Sequence, residues 1–382
     1  MVDAQVERWI IGRRTDMVIY FGGPVAALLV GALVVAAPQL LAPLFIAWLL
    51  LIDGPHLLIT YLRVAHAGAQ DPDYRTALRR SWLCFAPPLV LWMAAVAAGL
   101  PGLMEIVLSA GVILSWYHLA RQHHGILVIY QAQTAIKAAG PLISIQHRER
   151  RYLRAWLWSI FLLSAFVIPA NRERLGAAPV AAFWWDALAL ALALFCAGVA
   201  LCFLWLGAQR HRSGEPLRPW WFAFAVALCS GVGLLWVGSF EPIQPGARGA
   251  EQMFMAVTLI TGMVHGIQYL GIVFITNARR GVSTVSTMAH TGLTARLARA
   301  PALVFLALLA ASAIYVALYG ATGALPGLDW PRADSAPAQF ALALYWGLFF
   351  QHYYVDSKIW RVGKNAALRT ELGLAPMAGA RA

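Results

Sequence analysis

Four apolar stretches of the chain carry histidine, and two of them also carry aspartate. The run LIDGPHLLITYLR holds Asp53 and His56, and SWYHLARQHHGILVIYQ holds His118, Arg121, Gln122, His123 and His124. TGMVHGIQYLGIVF holds His265, Gln268 and Tyr269, and LFFQHYYVDSKIWR holds Gln351, His352 and Asp356. Ionisable side chains are costly in an apolar helix and mark sites of chemistry. Neutral imidazole suits iron, copper and zinc, and carboxylate suits iron or manganese. Asp53 and His56 are spaced i,i+3, with Thr60 one turn further along the same face, and His352 and Asp356 are spaced i,i+4. A carboxylate beside an imidazole either fixes its tautomer or is itself a ligand. His265 shares its face with Gln268 and Tyr269, and His118 aligns with Gln122. His123 and His124 point about 100° apart, so an intact helix cannot aim all three histidines of that run at one point. Pro55, Gly125 and Gly266 would permit unwinding or close helix approach.

The elements that must carry these residues follow from composition. The chain has 382 residues, 60% hydrophobic and only 12% charged. So few charges cannot cover a soluble globule, and the same composition excludes a disordered chain, collagen, a disulfide scaffold and a nucleic-acid-binding domain. An all-α, polytopic membrane bundle remains, in a single integral-membrane domain over 1–382, with a short N-terminal segment 1–16 and a short tail 361–382. About ten transmembrane helices are expected, at 17–37, 39–62, 82–100, 103–130, 155–170, 182–208, 219–239, 252–277, 301–320 and 337–360. The fifth is the shortest. Polar stretches around 63–80, 131–154 and 278–300 read as loops or amphipathic surface segments. Cys84, Cys196, Cys202 and Cys229 lie in apolar stretches and read as small buried thiols. The run after Arg13 and Arg14 reads as an uncleaved first span.

Charge orients the spans. With the N-terminus in the cytoplasm, nearly all of the 29 Lys and Arg residues fall in cytoplasmic segments. The outer loops hold only Arg172, Arg174, Arg248 and Arg332, and Arg121 lies inside a span. This positive-inside bias places both termini in the cytoplasm, and the expected location is a bacterial inner membrane. The formal charge of +12 therefore reports topology and not nucleic-acid binding.

The four histidine-bearing spans are the second, fourth, eighth and tenth, so all run in the same direction. In each, the polar group sits about 5–12 residues before the cytoplasmic end, a layer about 8–18 Å deep at 1.5 Å per residue. The simplest geometry is one centre ligated by His56, His118, His123, His124, His265 and His352. Asp53 and Asp356 would act there as ligands or bases. Arg121 would be a counter-ion to one of those aspartates or a clamp for an anionic substrate group. Singly, each histidine reads as an interhelical hydrogen-bond partner; together the six favour a bound metal or haem. Trp116, Tyr117, Tyr353, Tyr354 and Trp360 read as interfacial or packing aromatics, and Glu105 as a surface charge. His147 and His211 read as solvated, and His66 and His290 could fold over the centre as extra ligands.

The spacing HLARQHH (His118, His123, His124) resembles one histidine box of the membrane fatty-acid desaturase and hydroxylase superfamily. The paired histidines of its other boxes are absent here, so the likeness covers one short motif. That resemblance implies a di-iron enzyme that oxidises C–H bonds of a lipid with O2 and an external electron donor. The expectation is a membrane metal-dependent oxidoreductase with two non-haem iron ions, zinc or copper being alternatives. Its substrate would be hydrophobic, entering from the membrane lipids, and its electron donor cytoplasmic, because the sequence holds no nucleotide or flavin motif. Two other readings stay open: a bis-histidine haem b electron-transfer protein, and a proton or metal-ion transporter using a His/Asp relay.

Overall fold

The computed structural model describes residues 9–68, 72–134, 141–168, 179–237, 249–285, 300–323 and 335–374. Helices are the only regular elements among them. Ten are long: α1 Arg13–Ala36, α2 38–68, α3 72–98, α4 Met104–Thr134, α5 Pro141–Val167, α6 Pro179–Arg212, α7 Arg218–Val237, α8 Gly249–Val285, α9 Pro301–Ala321 and α10 Ala336–Ile359. A short α11, Ala366–Glu371, follows. Among the described residues, each expected span falls largely on one of the ten long helices. Eight of these are long and apolar enough to cross a membrane, which makes the protein an all-α polytopic membrane bundle. The other two are α5 and α10. Basic residues fill the early turns of α5, and α10 carries Gln339, Gln351, His352, Asp356 and Lys358.

The chain falls into two compact units. One comprises 1–41, 120–268 and 372–375, and the other 42–119, 269–371 and 376–382. In the first, α5 packs along α6 and against α7, and α1 packs on α7. Glycines set close approaches there: a Cβ at Gly31 would meet the Ile260 side chain at 3.0 Å. Polar groups of the α4–α5 hairpin are satisfied internally. Gln131 donates to Glu149 (2.7 Å), and Glu149 forms a 2.5 Å ion pair with Arg210, both side chains being fully buried. Arg210 was expected in the cytoplasmic loop that follows the sixth span, 182–208. Instead α6 continues to Arg212, and the Arg210 Nε also donates to the Pro216 carbonyl. The basic residues of the expected 131–154 loop likewise lie partly on α5, a helix from Pro141 onward.

In the second unit, α10 packs against α2, α3 and α9, and α9 packs along α2. Two glycines let these helices approach. A Cβ on Gly111 of α4 would lie 2.5 Å from the Trp346 ring of α10, and one on Gly54 of α2 would lie 2.5 Å from the Ser312 hydroxyl of α9. Pro55 has no N–H to give the carbonyl four residues back, and its ring crowds that carbonyl. The helix answers by widening into a π-turn over Leu49–Asp53, closed by the Gly54 N–H donating to the Leu49 carbonyl. α2 therefore does not unwind at Pro55. Nor does α4 at Gly125 or α8 at Gly266.

All four cysteines are free; Cys196 and Cys229 are buried, Cys84 half-buried and Cys202 exposed.

Candidate metal centre

The second unit gathers three imidazoles and one carboxylate. The Gly111–Trp346 contact brings α4 against α10, and two helical turns further on His118 lies beside His352, their rings 5.0 Å apart. His56 of α2 stands edge-on to His352, with ring centroids 4.7 Å apart, and 6.4 Å from His118. The i,i+4 spacing on α10 turns Asp356 to the same side as His352. Ligand atoms of His118, His352 and Asp356 lie within 4.8 Å of one another, and a ring nitrogen of His56 lies equally close to one of His118. His56, His352 and Asp356 are buried, and the His118 side chain is 11% exposed.

The distances to Asp356 are the informative ones. Its Oδ2 lies 3.6 Å from Nε2 of His118 and 3.6 Å from Nε2 of His352. Both are too long for hydrogen bonds. Both match the edge of a coordination polyhedron: two atoms about 2.1 Å from one ion, about 110–120° apart, lie about 3.4–3.6 Å from each other. Oδ1, by contrast, accepts from Tyr269 Oη at 2.5 Å and from Thr60 Oγ1 at 3.4 Å. The Thr60 and Tyr269 hydroxyls are 2.6 Å apart, and the Trp360 indole N–H donates to Tyr269 at 3.3 Å. One carboxylate oxygen is thus fixed by α2 and α8 while the other faces two imidazoles. Both ring nitrogens of fully buried His352 lack a hydrogen-bond partner among the described residues. Such a group costs about 1–3 kcal/mol unless something occupies the site.

The surroundings hold the cluster rigid. Tyr353 stacks on His118 at 4.5 Å, and its hydroxyl is 2.7 Å from that of Ser115. Tyr269 meets the His56 ring edge-on at 4.4 Å. Below it, fully buried Arg63 donates to Thr276 (2.9 Å), Asn277 (2.8 Å) and Glu371 (2.8 Å) and lies 4.9 Å from the Trp360 ring centroid. Glu371 ends α11, so residues of the expected tail are tied to this unit.

The remaining expected site residues are Asp53 of this unit and His123, His124, Arg121 and His265 of the first. Asp53 is buried, but its carboxylate accepts from the Tyr315 hydroxyl of α9, and that hydroxyl lies 3.2 Å from Tyr345 Oη. Asp53 is not among the converging ligand atoms of this unit. His123, His124, Arg121 and His265 belong to the first unit. There His123 Nδ1 is 3.0 Å from Gln268 Oε1, the Gln268 amide donates to the Tyr20 carbonyl (3.5 Å), and Gln122 donates to the His265 carbonyl (2.9 Å). The rings of His123 and His265 are perpendicular, with centroids 6.3 Å apart. Arg121 is exposed and His124 half-buried. α4 stays α-helical through all three histidines, so they diverge as their spacing requires. His290 lies outside the described residues, as does the side chain of His66. His147, His211 and Glu105 are exposed, as expected.

Sequence reasoning placed Tyr353 and Trp360 among interfacial or packing aromatics. Tyr353 packs on a candidate ligand, and Trp360 holds the tyrosine that holds Asp356. It also missed Tyr315, whose only signal was a hydroxyl-bearing ring in an apolar span. No family model, curated protein or solved structure matches this chain.

Proposed function

We propose that the protein is a membrane-embedded metal-dependent oxidoreductase holding one non-haem iron ion through His56, His118, His352 and Asp356. The observation that supports it most is the pair of equal 3.6 Å separations between Asp356 Oδ2 and two imidazole Nε2 atoms, in a site where the other carboxylate oxygen is already held. Three neutral imidazoles and one carboxylate form a donor set suited to iron. A single ion needs no more than these four groups, so the second iron of the histidine-box resemblance is not required. Haem fits less well: His352 lies within 5.0 Å of both other rings, in space that a macrocycle would need.

Bound iron would supply the single-electron exchange that O2-dependent oxidation requires. The chain's own groups do the rest. Tyr269 Oη donates a hydrogen bond to Asp356 Oδ1, so that Oδ2 stays oriented toward the imidazoles. Tyr353 and Tyr269 fix the planes of His118 and His56. Burial excludes bulk water. The site lies among apolar helices, which favours a hydrophobic, lipid-like substrate reaching it from the membrane. Electrons would come from a separate cytoplasmic donor. The Lys and Arg distribution favours both termini in the cytoplasm, and the membrane proposed is a bacterial inner membrane.

Metal analysis and an absorption spectrum of detergent-purified protein test the reading. About one iron per chain, without a Soret band and lost in His352→Ala, is the expected result. A Soret band, or no metal after expression in iron-replete cells, overturns it.

A further inference from the structure

Four cationic or basic side chains of the first unit converge where α4 and α5 run side by side. Gln131 donates to the Gln146 carbonyl (3.2 Å) and Gln146 to the Gln131 carbonyl (3.4 Å), which fixes an antiparallel register between the two helices. That register brings Arg121 and His124 of α4 about level with Arg154 of α5, and Arg150 lies one turn earlier on α5. The charges acting on His124 are those of Arg154, Arg121 and Arg150. Arg121 and Arg154 are exposed; Arg150 and His124 are half-buried. The Nε of Arg150 donates to the Gln146 carbonyl and that of Arg154 to the Arg150 carbonyl, which leaves the terminal nitrogens of both guanidinium groups available.

No carboxylate among the described residues is hydrogen-bonded or ion-paired to Arg121, Arg150 or Arg154. Glu149, beside Arg150, is already engaged by Arg210 and Gln131. Three guanidinium groups gathered along about two turns of adjacent helices repel each other unless an anion sits among them.

Depth identifies the anion's source. A helix crosses about 30 Å of hydrocarbon in about 20 residues. The α4 span candidate, Pro101–Gln133, is longer than that distance needs, and about 20 residues counted from its first residue reach Arg121. On α5, Arg154 is the last ionisable residue before the apolar run 155–167. The two helices thus place their arginines independently at one membrane–water boundary, where phospholipid phosphates lie.

We infer that Arg121, Arg150, Arg154 and His124 form a binding site for the headgroup of one anionic phospholipid, its phosphate held by the guanidinium groups and its acyl chains lying along the apolar surface of α4 and α5. Arginine suits this task because its planar fork meets phosphate oxygens in pairs. The inference does not depend on the metal centre.

Native mass spectrometry of the delipidated full chain, titrated with dioctanoyl phosphatidylglycerol, tests it. One tightly bound lipid is expected. Each juxtamembrane arginine is worth about 5-fold in affinity, so Arg121→Gln with Arg154→Gln should weaken binding about 25-fold. Arg79→Gln with Arg80→Gln, which removes two exposed charges from α3, should change it less than 2-fold. Arg121→Lys with Arg154→Lys keeps the charge but loses the planar fork, so binding should fall less than in the glutamine pair, and retained binding also reports intact folding. Equal binding of dioctanoyl phosphatidylcholine, unchanged binding in the glutamine variant, or an equal loss in the α3 variant overturns the proposal. Displacement of the lipid by equimolar inorganic phosphate would assign the site to free phosphate and overturn it too.

Discussion

Removing one hydroxyl, with Tyr269→Phe, tests whether the proposed metal centre is organised as its hydrogen bonds imply. Tyr269 Oη donates to Asp356 Oδ1 at 2.5 Å, lies 2.6 Å from Thr60 Oγ1 and accepts from the Trp360 indole. Phenylalanine keeps the ring, and with it the edge contact to His56 at 4.4 Å, so packing changes little. What is lost is the charge-assisted bond that turns Oδ2 toward His118 and His352. Thr60, at 3.4 Å, is too distant to replace it. Losing such an orienting partner typically weakens metal binding 10–100-fold, about 1.4–2.7 kcal/mol. Competition against a chelator of known affinity, in detergent, measures that change for iron. Affinity within 2-fold of wild type, in a variant with unchanged thermal unfolding, would refute the idea that Asp356 is a positioned ligand.

His352→Ala should reduce bound iron at least 100-fold while circular dichroism still reports a helical protein; metal retained at wild-type stoichiometry would remove His352 from the site. Stripping metal with a chelator should leave helix content unchanged, because α2, α4, α9 and α10 are held by packing at Gly54–Ser312 and Gly111–Trp346; a large loss of circular dichroism would contradict this. Gly111→Ala should destabilise by about 1–3 kcal/mol through overpacking against the Trp346 ring and should weaken metal binding by displacing His118; unchanged melting would show that α4 and α10 do not approach so closely. Glu149→Ala leaves the buried Arg210 guanidinium without its anion and should cost about 3–5 kcal/mol in unfolding experiments, whereas a cost below about 1 kcal/mol would mean that water reaches it.

The helices were legible because the bilayer imposes a length and an apolarity that few other constraints override. Hydropathy locates eight of them outright; α5 and α10, with their polar and charged residues, are carried by shorter apolar runs. His56, His118, His352 and Asp356 were legible for the converse reason, as polar groups where polarity is costly. Which helix supplies a partner was not legible. Asp53 pairs with Tyr315 and not with a ligand cluster, because the π-turn before Gly54 and the glycine contact with Ser312 set its direction, and neither has a period in the sequence. Tyr269 was grouped with His265 by helical spacing, yet its hydroxyl reaches Asp356 on α10, a pairing set by tertiary packing. Arg63 and Arg210 were counted as loop charges. Both are buried, because Glu371 and Glu149 supply anions from segments distant in sequence.

The wide turn over Leu49–Asp53 makes this part of α2 a length gauge. A π-turn is an α-helix that holds one residue more than its pitch requires. Deleting a single residue from 49–52 would let the helix close to its ordinary winding without breaking it. Because the wide turn already absorbs the extra residue, the segments on either side would keep nearly their present facing. Phe45 and Trp48, now packed in the core, would stay there while His56 kept its place. Loss of a second residue, taken from ordinary helix, would swing the two segments about 100° apart and should not be tolerated. In this segment the count of residues carries information that their identity does not.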